Sequence, residues 1–189
     1  MKIRLAHTLP LLLSLLAASA AQAVEYSALI ADKSTLGFSY RQMNVPMDGS
    51  FKRFKAQLAF DPAQPAKASA AFEIEVASID VGSPEGNAEV GSKLWFNTAA
   101  HPTARFVSSN IKALGNNRFE VVGKLTIKGK TLDVSTPVSF RADGANGLFE
   151  GAFTIKRADY AIGEGMWADF GTVANDVQIK FRLLAAARK

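Results

Sequence analysis

The chain has 189 residues and a formal net charge of +5, from 22 basic and 17 acidic side chains, and it contains no cysteine. The lack of cysteine excludes disulfides, thiolate metal sites and cysteine nucleophiles. The charge is too small and too evenly spread along the chain to indicate a nucleic-acid-binding protein.

The first 23 residues have the pattern of a secretory signal peptide. Lys2 and Arg4 precede an apolar run over residues 9–18, and the run ends at the small-x-small site Ala21-Gln22-Ala23. This run is shorter than the roughly 20 apolar residues that span a bilayer, which favours cleavage over an uncleaved anchor. We therefore expect export to the periplasm of a Gram-negative cell and a single mature domain over residues 24–189.

Apolar and polar residues then alternate along most of the mature chain, which is typical of strands with one buried face. In chain order, the apolar rows are Leu36, Phe38 and Tyr40; Phe54, Ala56, Leu58 and Phe60; Ala70, Phe72, Ile74 and Val76; Ala104 and Phe106; Phe119, Val121, Leu125 and Ile127; Leu132, Val134, Val138 and Phe140; Phe149, Phe153 and Ile155; and Val177, Ile179, Phe181 and Leu183. The rows predict about eight long strands separated by turns. The clearest pair flanks Lys128-Gly129-Lys130, which predicts a tight hairpin.

One stretch departs from this period of two. Ser83, Pro84 and Glu85 supply a cap residue, a proline for the first helical position and an acid for the first turn. Residues at helical spacing then continue to Leu94, which predicts a short helix that ends near Trp95. We expect this helix to cover part of the sheet or one of its ends.

Consecutive antiparallel strands leave two exposed edges, and closing the sheet into a barrel removes both. The expected fold class is therefore all-β, an up-and-down, lipocalin-like antiparallel β-barrel of about eight strands with one short helix. A barrel of this size either fills with its own side chains or holds one small ligand. The long apolar rows favour a hollow interior.

Residues suited to catalysis or metal binding are scarce in the mature chain. His101 is its one histidine, and a single histidine with scattered carboxylates does not form a metal site. Gly163-Glu164-Gly165 lacks the Lys-Ser/Thr of a phosphate-binding loop, so an ordinary turn is the simpler interpretation. We predict no catalytic residue and no metal site, and the sequence favours a binding protein over an enzyme.

The residues expected to contact a ligand fall into two groups. The first is aromatic and would line a dry lumen: Phe38, Tyr40, Phe54, Phe72, Phe106, Phe153, Phe181, Trp95 and Trp167. The second is polar, lies near strand ends and would hold a head group at the mouth: Arg41, Arg157, Asp159 and Glu164. Mutual packing of the aromatic rings and an ordinary solvated rim are the simpler alternatives, and both stay open.

Several segments, taken in order, resemble the YceI-like family of exported lipid-binding proteins. They are residues 36–43, 49–51, 77–80, 93–97, 101–106, 123–129, 156–163 and 175–177. The resemblance implies a lipocalin-like barrel with a hydrophobic tunnel, a bound polyisoprenoid or isoprenoid quinone, no covalent cofactor, and a homodimer. Arg41-Gln42-Met43 stands where many relatives have a His-Gly-like step. With this tripeptide the chain resembles the subgroup of domains found with b-type cytochromes. That resemblance implies a quinone as the ligand and a transient contact with a membrane or such a cytochrome.

The leading hypothesis is a periplasmic carrier of a long-chain isoprenoid lipid. One alternative is a small outer-membrane β-barrel with its apolar rows turned toward lipid, although the polar faces carry many Lys and Glu residues. Another is an enzyme on a lipocalin-like scaffold, with Arg157 and Asp159 as an acid/base pair. The sequence does not distinguish transport, storage and protection of the lipid.

Overall fold

The computed structural model describes residues 24–188, which form one antiparallel sheet of eleven strands and one α-helix. The predicted signal peptide, residues 1–23, lies outside the described residues. The elements are β1 Tyr26–Leu29, β2 Thr35–Gln42, β3 Val45–Phe51, β4 Phe54–Ala59, β5 Ser69–Glu75, β6 Ile79–Asp80, α1 Pro84–Gly91, β7 Thr103–Gly115, β8 Arg118–Ile127, β9 Lys130–Asp143, β10 Asn146–Lys156 and β11 Asp176–Ala187.

Four of these strands are the halves of two longer, bent strands. β3 continues into β4, and β5 continues into β6 through the 3-10 turn Val76–Ser78. β4 pairs with β5 and β3 pairs with β6, both antiparallel. At the bend, Lys52 N donates to Ser78 O (3.1 Å) and Glu75 N donates to Arg53 O (3.0 Å). With each bent pair counted once, the sheet has eight long strands and the short β1.

The sheet curls until its first and last long strands meet. β11 pairs with β10 on one side and with β2 on the other, while β7 to β10 pair in sequence order. β1 lies beside the end of β11, and there Tyr26 exchanges backbone hydrogen bonds of 2.8 and 3.1 Å with Phe60. The predicted fold class, an antiparallel all-β, lipocalin-like barrel with one short helix, is confirmed; the short β1 and the two bends raise the strand count.

The hairpin between β8 and β9 forms where the sequence predicted it. Lys128 and Gly129 have positive φ values of 48° and 76°, the backbone of a two-residue turn whose twist matches that of the flanking strands. The apolar row of β8 faces inward, with Phe119 and Leu125 buried. Leu132, at the start of the β9 row, is instead 37% exposed, in a part of β9 that has no partner in β10, since β10 pairs with β9 only from Val138 to Asp143.

The helix begins where predicted and ends earlier. Ser83 Oγ accepts a hydrogen bond from Gly86 N (3.0 Å), and Pro84 occupies the first helical position. α1 stops at Gly91, short of Trp95, because glycine and serine follow one another there and both are weak helix formers. Phe96 N donates to Val90 O (3.0 Å), so the chain folds back against the helix end.

One end of the barrel is filled by five aromatic rings, which we call the aromatic plug: Tyr26, Phe60, Phe119, Phe140 and Phe149. The Phe60 ring centroid lies 5.0 Å from that of Phe119, 5.2 Å from that of Phe140 and 5.0 Å from that of Phe149. Tilted and edge-on contacts of this kind are the favoured geometry of aromatic pairs. The plug closes this end of the interior.

Candidate ligand-binding cavity

Between the aromatic plug and α1 the barrel encloses a cavity of about 480 Å³. This volume lies within the range of roughly 300–1,000 Å³ that is usual for small-molecule sites. The apolar rows of the strands form its wall, so the rows face inward. Few lining side chains carry a polar group: Tyr40, Gln42, Ser83, Glu89, Trp95, Thr136, Arg157 and Trp167.

All the aromatic candidates from the sequence line this cavity: Phe38, Tyr40, Phe54, Phe72, Phe106, Phe153, Phe181, Trp95 and Trp167. The fold therefore brings together side chains that are up to about 140 residues apart in the chain. Contact of these rings with a ligand stays a prediction. Their shared position makes the lumen an apolar, aromatic surface.

Glycines on the inward rows explain how so many rings leave the lumen open. A Cβ atom at Gly123 would lie 2.5 Å from Phe106 Cζ, much closer than two carbon atoms can approach. A Cβ atom at Gly151 would overlap the ring of Phe181 in the same way. Each ring therefore occupies the place that a side chain on the neighbouring strand would take. The rings lie against the wall, and the space along the axis remains free.

The cavity reaches the surface beside α1. The exposed Ser83 and the partly exposed Gln42 and Glu89 all line it. Trp167 Nε1 donates to Glu89 Oε1 (2.8 Å), which ties the segment after β10 to the helix. The rings of Trp167 and Trp95 lie 5.4 Å apart next to this bond. The helix and the two tryptophans thus border the opening.

Arg157 is almost completely buried, with 2% of its surface exposed, although the sequence suggested a mouth residue. Its donors reach backbone carbonyl oxygens: Nε reaches Val173 (3.3 Å) and Ala174 (3.2 Å), Nη1 reaches Ile162 (2.8 Å) and Gly163 (2.9 Å), and Nη2 reaches Trp167 (2.7 Å) and Val173 (2.8 Å). Burial lowers the pKa of Arg157, and the nearby carboxylate of Asp169 opposes this. Since all three guanidinium nitrogens already donate to the backbone, Arg157 is placed to hold the segment between β10 and β11.

The other polar candidates lie away from the cavity lining. Arg41 is exposed, and its Nη2 donates to Asn44 O (2.8 Å) in the turn after β2. Asp159 is exposed in the 3-10 turn Arg157–Tyr160. Glu164 accepts a hydrogen bond from Lys128 Nζ (2.8 Å), which lowers the pKa of Glu164. The fold does not bring these three side chains together with the aromatic set.

The family of this chain follows from a comparison with known proteins. The model of the YceI-like domain matches residues 28–185, which is most of the described chain. The chain belongs to the YceI-like domain family. The barrel described above and the sequence segments between residues 36 and 177 agree with this assignment.

This YceI-like chain is similar to several solved structures and curated relatives. The crystal structure of Burkholderia cenocepacia BcnA is 46% identical, with a TM-score of 0.82, and the match covers 84% of this chain and 99% of that one. A polyisoprenoid binding domain from Saccharophagus degradans, implicated in plant cell wall breakdown, shares the fold at 20% identity, with a TM-score of 0.65 over 88% and 99% of the two chains. A UPF0312 protein of Photorhabdus laumondii is 30% identical over 77% of this chain and 80% of its own length.

Gln42, Ser83, Glu89 and Thr136 line this YceI-like cavity but were not among the ligand-binding residues predicted from the sequence. Glu89 was missed because a glutamate on a short helix is usually solvated. Its hydrogen bond with Trp167 was also not visible in the sequence, because the two residues are far apart in the chain. Within the described residues, Trp95 Nε1 and Tyr160 OH are buried without a hydrogen-bond partner. Burial raises the pKa of Tyr160 to about 12.

The described part of this YceI-like chain has two further features relevant to function. Over residues 24–188, no three His, Cys, Asp or Glu side chains lie close enough to share a metal ion. Over the same residues, no helix combines the length and the apolar character needed to cross a membrane.

Proposed function

We propose that this YceI-like protein is a periplasmic carrier that holds the chain of a long isoprenoid lipid in its lumen. The observation that supports this most is the apolar cavity of about 480 Å³ behind an opening beside α1. Burying hydrocarbon contributes about 0.8 kcal/mol per methylene, so a long chain can bind without polar contacts along its length. Ordering that chain offsets part of this gain.

The lipid class rests on the shape and chemistry of the lumen and on the family. Aromatic rings lying against the wall suit a branched, flat-sided prenyl chain, and the structural relative from Saccharophagus degradans is described as a polyisoprenoid binding domain. The few polar side chains at the opening, Gln42, Ser83 and Glu89, leave room for a neutral head group such as a quinone ring. An isoprenoid quinone or a polyprenyl compound is therefore the proposed cargo.

Location and partners complete the proposal. The signal-peptide pattern of residues 1–23 supports a periplasmic carrier. The family resemblance supports a homodimer and a transient contact with a b-type cytochrome. The enzyme alternative loses its main support, because Arg157 is bonded to backbone carbonyls while Asp159 faces solvent.

Two neighbouring valines of β8 allow a test. Val121 lines the cavity, whereas Val122 is on the other face of the strand. Val121→Trp should place an indole in the lumen and weaken binding of a short-chain ubiquinone at least tenfold in isothermal titration. Val122→Trp should bind as the wild type does, and circular dichroism checks that both variants fold.

Two results would contradict the proposal. One is a wild-type protein that binds neither the quinone nor a prenyl alcohol of similar length. The other is a folded Val121→Trp variant with unchanged affinity.

A further inference from the structure

Exposed apolar side chains gather at the open end of the barrel. Met43, Val45, Met166 and Phe170 are 74%, 56%, 79% and 49% exposed. Met43 lies in the turn between β2 and β3, Val45 is the first residue of β3, and the other two belong to the segment between β10 and β11. We call these four residues the apolar collar.

Hydrogen bonds between the two loops make the collar one surface. Met43 N donates to Thr172 O (2.9 Å), and Ala174 N donates to Arg41 O (2.9 Å). Gln42, which precedes Met43, forms an isolated bridge with Val173. The two loops therefore hold their apolar side chains at fixed positions relative to each other.

The collar borders the opening of the cavity. Gln42 and Val173, which join the two loops, both line the lumen. Trp167, next to Met166, lines it as well and bonds to α1. Single exposed apolar side chains are common on proteins, but several on adjoining loops around one opening mark an interaction surface.

The charges at this end are mixed. Arg41 and Lys93 are exposed, but Asp159 and Asp169 are exposed as well. The hydrogen bond that Asp169 accepts from Thr172 Oγ1 (3.0 Å) comes from a neutral hydroxyl and leaves the carboxylate charged. The apolar side chains, and not an excess of one charge, therefore match this surface to the interfacial region of a bilayer.

We propose that the apolar collar docks on the surface of a phospholipid bilayer, so that a lipid passes between bilayer and lumen without crossing water. This inference rests on the proposed carrier function. It identifies the bilayer as the occupant because the collar borders the mouth of a lumen lined with apolar side chains. Insertion of Met and Phe side chains at the mouth would join that lumen to the apolar part of the membrane.

Sedimentation with extruded vesicles of phosphatidylcholine and phosphatidylglycerol tests the docking. The double variant Met43→Asn, Met166→Ser changes the two most exposed collar residues and replaces no buried side chain. We expect its partitioning onto vesicles to fall at least tenfold. The matched control, Val107→Ser with Leu114→Ser, removes two exposed apolar side chains of β7 and should partition as the wild type does.

The contribution of charge has its own readout. Replacing phosphatidylglycerol by phosphatidylcholine, or adding salt, should change partitioning of the wild type much less than the collar substitutions do, because exposed acidic and basic side chains are mixed at this end. Arg41→Gln should likewise partition close to the wild type. Partitioning that is lost when the lipid charge or Arg41 is removed would overturn the assignment of docking to the apolar side chains.

The remaining outcomes separate this inference from the carrier function. Equal partitioning of the collar variant and the control variant would overturn the docking. The docking would also be overturned if the wild type is a dimer that does not bind vesicles and the collar variant is a monomer. Titration of ubiquinone in solution should be unchanged in both double variants. Vesicle binding that depends on the collar, in a protein that takes up no quinone, would contradict the carrier function and leave the surface assignment intact.

Discussion

Arg157 shows how one buried side chain organises the open end of the barrel. Its guanidinium presents a planar fork of five N–H groups, and the backbone between β10 and β11 wraps around it to supply the acceptors. The face of the guanidinium also stacks near Trp95 and Phe170, at 5.6 and 5.2 Å from the ring centroids. The segment that carries Trp167 and Phe170 therefore depends on this one residue for its shape.

Arg157→Lys should lower the free energy of unfolding by about 3 kcal/mol. Lysine keeps the charge, but its three donors cannot satisfy the surrounding carbonyls, and buried unsatisfied groups cost about 1–3 kcal/mol each. Urea unfolding followed by tryptophan fluorescence measures the loss. Arg182→Lys is the control, since the Arg182 side chain is 49% exposed and should change stability by less than about 0.5 kcal/mol. Equal effects at the two positions would contradict this role of Arg157.

The elements of the fold show why aromatic rings and an open lumen occur together. Register places Gly151 opposite Phe181 and Gly49 opposite Phe38, so the ring of one strand covers a glycine on the next. A larger residue at either glycine would push the ring toward the axis. The pattern of glycines, as much as the pattern of rings, determines how much of the interior is free.

Gly123→Ala tests this arrangement. The added methyl group would collide with Val107 O and with Phe106 Cζ (2.5 Å), and overpacking of this kind typically costs about 1–3 kcal/mol. Urea unfolding should show that loss, and ubiquinone titration should show weaker binding because the displaced ring enters the lumen. Gly91→Ala is a suitable control, since the nearest atom to its Cβ would be Thr98 Oγ1 at 3.4 Å. A Gly123→Ala variant as stable and as binding-competent as the control would contradict the explanation.

The strands were largely predictable from the sequence, because apolar and polar residues must alternate along a strand that has one buried face. The bends were also encoded, since the inward row moves from Phe51 to Phe54 and from Val76 to Ile79, a step of three in place of two. The end of α1 was obscured in the sequence: Gly91 and Ser92 are weak helix formers, but residues at helical spacing continue past them. The role of Arg157 was hidden as well, since carbonyl oxygens have no signature in the sequence.

At the scale of the whole molecule, the decisive property is a barrel that is filled at one end and hollow at the other. Apolar rows predict an apolar interior, but the same rows build the aromatic plug around Phe60 and the lumen around Phe106. Sequence pattern alone therefore predicted the wall and its inward face, and the free volume had to come from three-dimensional packing. The open end then combines the cavity mouth, α1 and the apolar collar.

Native mass spectrometry of residues 24–189, purified without detergent and incubated with an isoprenoid quinone or a polyprenol, tests the carrier proposal most directly. The proposal predicts a complex with one lipid per barrel that survives transfer to the gas phase and is absent from the Val121→Trp variant. A protein that remains ligand-free with both lipids, while folded by circular dichroism, would contradict it.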